Sequence, residues 1–87
     1  MIDVNDVISY PLMTESASLM VEKDNKLVFI INLKADKIDV KRAVEELYEV
    51  KVDKVRVLVT PQGEKKAFVK LKPEYKASDV AIKLGIL

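Results

Sequence analysis

The chain has 87 residues and a mass of 9.8 kDa, the size of one domain around one small core and too short for two. Its 49% hydrophobic and 33% charged residues with a net charge of only +1 exclude a disordered chain, which combines low hydrophobicity with high net charge. The absence of cysteine and histidine excludes disulfides, thiolate nucleophiles, Cys-ligated metal sites and imidazole acid–base chemistry, so the composition leans against an enzyme and implies no cofactor.

In chain order, Val7 to Tyr10 is a short apolar stretch stopped by Pro11, read as a first strand. Thr14 followed by Glu15 is an N-cap with an acid in the first turn, which predicts a short helix over 14–21. Asp24-Asn25 marks a turn into a strand over Lys26 to Lys34, with Leu27, Phe29, Ile31 and Leu33 on one face and Lys26, Val28, Ile30, Asn32 and Lys34 on the other. Asp36 caps a helix over 37–48 whose buried stripe is Val40, Ala43, Val44, Leu47 and Tyr48. Lys37, Lys41, Arg42, Glu45, Glu46 and Glu49 face away, with Lys41 and Glu45 spaced as an i,i+4 pair.

Val52 to Thr60 alternates again, with Val55, Val57 and Val59 opposite Lys54, Arg56, Leu58 and Thr60. Pro61 to Glu64 is a short hairpin connection in which Gly63 is free to take positive φ. Lys66 to Lys72 is its partner strand, with Ala67, Val69 and Leu71 inward and Lys66, Phe68, Lys70 and Lys72 outward. Ser78 and Asp79 open a terminal helix that Gly85 closes. The order β-α-β-α-β-β-α implies a small α+β domain of split βαβ, ferredoxin-like related topology, with a four-stranded, mainly antiparallel sheet and helices on both faces. Val28, Ile30, Leu58 and Phe68 share the face away from the 37–48 helix, and their cover is expected from within the chain.

The longest apolar run, Leu27 to Ile31, is far short of the roughly 20 residues of a spanning helix, and residues 1–22 lack the basic opening of a secretory signal. A soluble, cytoplasmic protein without membrane insertion is expected. The first 22 residues carry Asp3, Asp6, Glu15 and Glu22 and no Lys or Arg, a net −4 that leaves +5 for the rest. From Lys65 onward six lysines face only Glu74 and Asp79, the footprint of a polyanion-binding surface. Lys54, Arg56, Lys66, Lys70 and Lys72 alternate outward from two hairpin strands and converge into one basic ribbon, with Phe68 among them as a stacking candidate or a packed aromatic. No phosphate loop, nucleophile elbow or metal-ligand spacing is present.

The runs Tyr10-Pro11-Leu12-Met13-Thr14-Glu15, Asn25-Lys26-Leu27-Val28-Phe29, Ala35-Asp36-Lys37, Lys41 through Val52, and Gly63-Glu64-Lys65-Lys66-Ala67-Phe68-Val69 resemble the universal large-subunit ribosomal protein twenty-three family, in its archaeal form. The resemblance spans residues 7–87. The chain departs from the family pattern at Ser16, where a lysine is usual, and at Arg56-Val57, where Asn-Thr is usual.

The resemblance implies a single ribosomal RNA-binding domain over 1–87: a non-catalytic constituent of the large subunit, ribosome-bound, contacting rRNA near the exit of the nascent-chain tunnel and neighbouring ribosomal proteins. It implies no small-molecule substrate. The expected RNA-contacting residues are Lys34, Lys37, Lys41, Arg42, Lys54, Arg56, Lys65, Lys66, Lys70 and Lys72. Glu15 corresponds to the acidic helix start where the family meets docking factors, signal recognition particle or other nascent-chain factors. The Pro61 to Glu64 loop is too short to reach into the tunnel as the long bacterial hairpin does. The rival from another class is a small ligand-binding or regulatory module of the same topology, self-associating through Val28, Ile30, Leu58 and Phe68.

Overall fold

The apolar run 27–31 forms the centre of the fold. The computed structural model describes residues 2–85, and its elements are α1 (Val4–Val7), β1 (Ile8–Pro11), α2 (Glu15–Asp24), β2 (Lys26–Ile31), α3 (Lys37–Tyr48), β3 (Val52–Val59), β4 (Lys65–Leu71) and α4 (Ala77–Leu84). Met1, Ile86 and Leu87, at the ends of the expected 1–87 span, lie outside the described residues.

One four-stranded sheet has the order β1-β2-β4-β3, and every neighbouring pair is antiparallel. Because β4 lies between β2 and β3 and opposes both, those two strands run parallel to each other, and β2-α3-β3 is the split βαβ unit the sequence implies. Leu27, Phe29 and Ile31 of β2 join Ala67, Val69 and Leu71 of β4, Val40, Ala43 and Val44 of α3, and Ala77, Val80 and Ala81 of α4 in the main core. Full burial of a side chain such as Leu27, Phe29 or Leu71 contributes roughly 1.5–3 kcal/mol, and Phe29 stacks offset on Tyr48 with ring centroids 6.2 Å apart. Burial also raises the Tyr48 hydroxyl above its ordinary pKa.

The opposite face has its own cover. Val28 and Ile30 are buried yet stand outside the main core. α2 packs on β2, with its Met20 and Asp24 lining one groove together with Leu58 and Phe68. The cover expected from within the chain is therefore α2, and it reaches only the β2 half of that face.

Several boundaries differ from expectation for local reasons. A one-turn helix, α1, precedes the first strand, started by Asp3, whose carboxylate accepts from the Asn5 amide at 2.9 Å; four residues carry no readable period. Pro11 lies inside β1, opposite Phe29, tolerated because β1 is an edge strand. Thr14 caps α2 as expected, its Oγ1 accepting from the Ala17 amide at 3.1 Å, but the helix runs on to Asp24. β2 stops at Ile31 rather than Lys34, because the Asn32 side chain accepts from the Lys34 amide at 2.9 Å and turns the chain; Leu33 is consequently exposed. β3 ends at Val59 and β4 spans Lys65–Leu71, leaving Val59 exposed at the sheet's end instead of inward. Gly63 takes its positive φ of 82° in the hairpin.

α3 starts on the expected cap, elaborated into a capping box in which Asp36 and Asp39 each bond the other's backbone amide. The backbone amide of Asp39 foremost, helped by that of Ile38, holds the Asp36 carboxyl below its ordinary pKa. Two residues of its outer face are not merely solvated: the Arg42 guanidinium donates to the Ile2 carbonyl at 2.6 Å, and Glu45 accepts from the Val52 amide at 2.9 Å, in place of the expected pairing with Lys41. Leu47, expected in the buried stripe, is 40% exposed.

Asn25 ties four elements together. It adopts the left-handed conformation (φ 55°) that ends α2. Its side-chain amide donates to the carbonyls of Leu71 at 3.3 Å and Tyr75 at 2.9 Å, and its carbonyl oxygen accepts from the Ala77 amide at 2.7 Å. That last bond supplies the N-terminal cap of α4, since Lys76 at the cap position gives none; Ser78 and Asp79, read as opening this helix, lie inside it.

Asn25→Ala should destabilise the chain by about 2–4 kcal/mol, combining a strained left-handed residue with unsatisfied, half-buried amide and carbonyl groups. Asn25→Gly, which tolerates the left-handed conformation but makes none of the side-chain bonds, should lose less. Urea unfolding of the three proteins checks the order; an unchanged midpoint in Asn25→Ala would contradict the role.

Candidate nucleic-acid interface

Antiparallel register decides which basic side chains meet. On the face away from α3, three cross-strand rows form: Lys26, Lys70 and Lys54; then Val28, Phe68 and Arg56; then Ile30, Lys66 and Leu58. Each row spans two strand spacings, roughly 10 Å, and rows follow one another about 7 Å apart along the strands. Lys54, Arg56 and Lys70 are exposed, while Lys66 and Phe68 are half-buried.

Three lysines in one row is an arrangement a sheet avoids, because like charges directly opposite destabilise the pairing. Among the described residues the only ion pair is Arg42 with Asp39, at 3.8 Å, so no carboxylate forms an ion pair with the row. Lys66 instead places its ammonium over the Phe68 ring, 6.0 Å from the centroid. A groove of about 540 Å³ runs along this surface, walled by Met20 and Asp24 of α2 on one side and Lys54, Arg56 and Leu58 of β3 on the other, with Lys26, Phe68 and Lys70 between.

The expected ribbon thus comes together for Lys54, Arg56, Lys66 and Lys70. Lys72 lies just past the end of β4, where its amide bonds the Lys51 carbonyl. The other expected residues lie elsewhere. Lys37 and Lys41 of α3 flank the outer edge of β3 in a second depression shared with Lys54. Lys65 has the opposite parity from Lys66, opposes Ile31 and Val59, and donates to the Leu33 carbonyl at 3.4 Å. Lys34 is exposed in the turn after β2. Arg42 is half-buried and held by Ile2 and Asp39, so its donors are directed inward.

Lys26, Met20 and Asp24 were not among the expected contacts. The alternation of β2 already places Lys26 with Val28 and Ile30, but only the insertion of β4 beside β2 brings it next to Lys70. Glu15 stands exposed at the first turn of α2, with exposed Met13 before it and exposed Leu19 one helical turn on. Of the four residues proposed for self-association, Val28 and Ile30 are buried by the chain itself, whereas Leu58 and Phe68 are half-buried and line the groove.

Among the described residues no cluster of carboxylates could hold a metal ion, and no helix is long and apolar enough to cross a membrane. Residues 6–84 match the model of a family described as Ribosomal protein L23. The chain is 51% identical over 84 residues, 97% of its own length and 98% of the relative's, to the large ribosomal subunit protein uL23 of Methanococcus aeolicus.

Relief of the lysine row should be measurable without any ligand. Lys70→Gln is expected to stabilise the fold by a few tenths of a kcal/mol at low salt, and the gain should fade as added salt screens the row. Denaturant titrations at two ionic strengths check this; a loss of stability at low salt would mean that the row is not under repulsion.

Proposed function

The chain belongs to the Ribosomal protein L23 family, a family of ribosomal proteins and not of enzymes, and from that premise we propose that it is a structural component of the large ribosomal subunit that binds large-subunit rRNA near the exit of the polypeptide tunnel. In this reading residues 1–87 act as one RNA-binding domain, ribosome-bound in the cytoplasm, in contact with neighbouring ribosomal proteins.

The observation that carries the proposal is the row Lys26–Lys70–Lys54, with Arg56 beside it, on the half of the sheet that α2 leaves open. Repulsion within such a row turns into attraction when phosphates enter, because each contact also releases condensed counterions. Lys supplies adaptable point charges and Arg56 a planar fork suited to bidentate phosphate contact. Phosphate contacts position the protein, and the shape of the RNA discriminates. Lys66 and Lys72 extend the same surface, and Lys37 and Lys41 continue it around the β3 edge. Lys34 and Lys65 are peripheral contacts, and Arg42 acts chiefly as a structural pin.

Glu15 serves as the docking point for signal recognition particle or another nascent-chain factor. Supporting this, the acid is exposed between exposed Met13 and Leu19, a small apolar patch with a charge at its centre. The segment around it has no cation through residue 22, so it attracts basic partners without competing with the RNA face.

The test is binding to an rRNA fragment from the tunnel-exit region, against an unrelated structured RNA, titrated across salt. Preference for the rRNA fragment is expected, and neutralising Lys54, Arg56 or Lys70 should lower the log–log salt slope by about 0.7–0.9 each. Equal weak binding to both RNAs with unchanged slopes would refute the assignment. For docking, Glu15→Lys in assembled ribosomes should weaken factor recruitment severalfold while leaving subunit assembly intact; unchanged recruitment would remove Glu15 from the role.

A further inference from the structure

The groove holds more than phosphate binding requires. A surface that only tracks a backbone needs cations, whereas this one has an apolar floor of Phe68, Leu58 and Met20 set among Lys26, Lys54, Arg56 and Lys70. It also has a carboxylate, Asp24, at the α2 wall, which would repel a phosphate. We infer that the groove is a pocket for one unpaired RNA nucleotide, with its base laid against Phe68, its polar edge toward Asp24 and its flanking phosphates on Lys54, Arg56 and Lys70. The inference rests on the RNA-binding reading and specifies what that surface selects.

The chemistry divides along the groove. Phe68 sits at the centre of the middle row, between Val28 and Arg56, so strand pairing fixes its backbone there, and its half-buried side chain lines the groove. Base–aromatic stacking is strong enough to select a nucleotide, but a base within a duplex is stacked on its neighbours and offers no free π-face. Only an extruded or looped base reaches this floor. The groove volume of about 540 Å³ falls in the range of small-ligand sites, roughly 300–1,000 Å³. Asp24 is exposed and, as a carboxylate, accepts hydrogen bonds only, so it favours a base with an exocyclic amino group. Lys66, now over the Phe68 ring, is a long flexible side chain that can swing aside toward a phosphate.

The test uses the full chain and three RNA hairpins of otherwise identical sequence: one fully paired, one with a single bulged adenosine, one with a single bulged uridine. The bulged adenosine should bind roughly ten times more tightly than the paired hairpin, and the uridine should fall between them. Phe68→Leu should abolish the preference for the bulge without changing the salt slope, Phe68→Tyr should keep it, and Asp24→Asn should equalise adenosine and uridine. As a readout independent of those variants, 2-aminopurine at the bulge should change its fluorescence when the wild-type protein binds.

Equal affinity for bulged and paired RNA, with silent 2-aminopurine, would overturn the pocket. If Lys54→Gln still lowered the salt slope in that case, the basic face would stand as an RNA surface and only the nucleotide pocket would fall. Loss of both effects would remove the RNA-binding reading as well.

Discussion

A single side chain, that of Asn25, fixes how the two helical layers meet the sheet. Its left-handed backbone stops α2 and turns the chain into β2, while its amide group bonds Leu71, Tyr75 and Ala77, 46 to 52 residues away in sequence. The backbone reinforces the joint, the Leu71 amide donating to the Asn25 carbonyl at 3.1 Å. One residue thereby ends one helix, starts another and sets the relation of β2 to the end of β4. Gly would allow the turn but make none of the side-chain bonds.

From that joint follows the asymmetry of the sheet. α1, α3 and α4, with Val21 of α2, contribute to the main core, where Val55 and Val57 of β3 are left half-buried. On the other face α2 alone is available, and its ten residues cover β2 without reaching across β4 and β3. The open remainder is where charge accumulates, because residues that cannot be buried are free to be cationic. The same geometry leaves Phe68 half-exposed, at the boundary between covered and open surface.

The lysine row shows a local cost retained in the fold. Sheet pairing favours opposite charges or apolar pairs across strands, and acids are plentiful in this chain, yet none stands in the row. The acids are used instead at helix starts: Asp3, Thr14-Glu15 and the Asp36–Asp39 capping box serve α1, α2 and α3. Asp3, Asp36 and Asp39 are committed to backbone amides at helix starts, and the cross-strand row is left to lysines although the net charge of the chain is only +1.

By itself the sequence determined the elements with a sustained period or a strong cap. The alternation of β2, β3 and β4, the stripe of α3, the Thr14 and Asp36 caps and the Gly63 turn all follow from interactions between residues a few positions apart. It also determined the ribbon of Lys54, Arg56, Lys66 and Lys70, because strand parity around a short hairpin is local, and the family resemblance, because whole runs of residues carry it. What only the tertiary structure decided is what long-range pairing creates. Parity alone could not tell that β4 inserts next to β2 and adds Lys26 to the row, that α2 covers half a face and turns the rest into a groove, or that α4 borrows its cap from Asn25. Nor could it show Arg42 bonded to the Ile2 carbonyl or Glu45 to the Val52 amide. Each of these depends on which segments lie side by side, and that is settled by burial of the whole core rather than by any local run of residues.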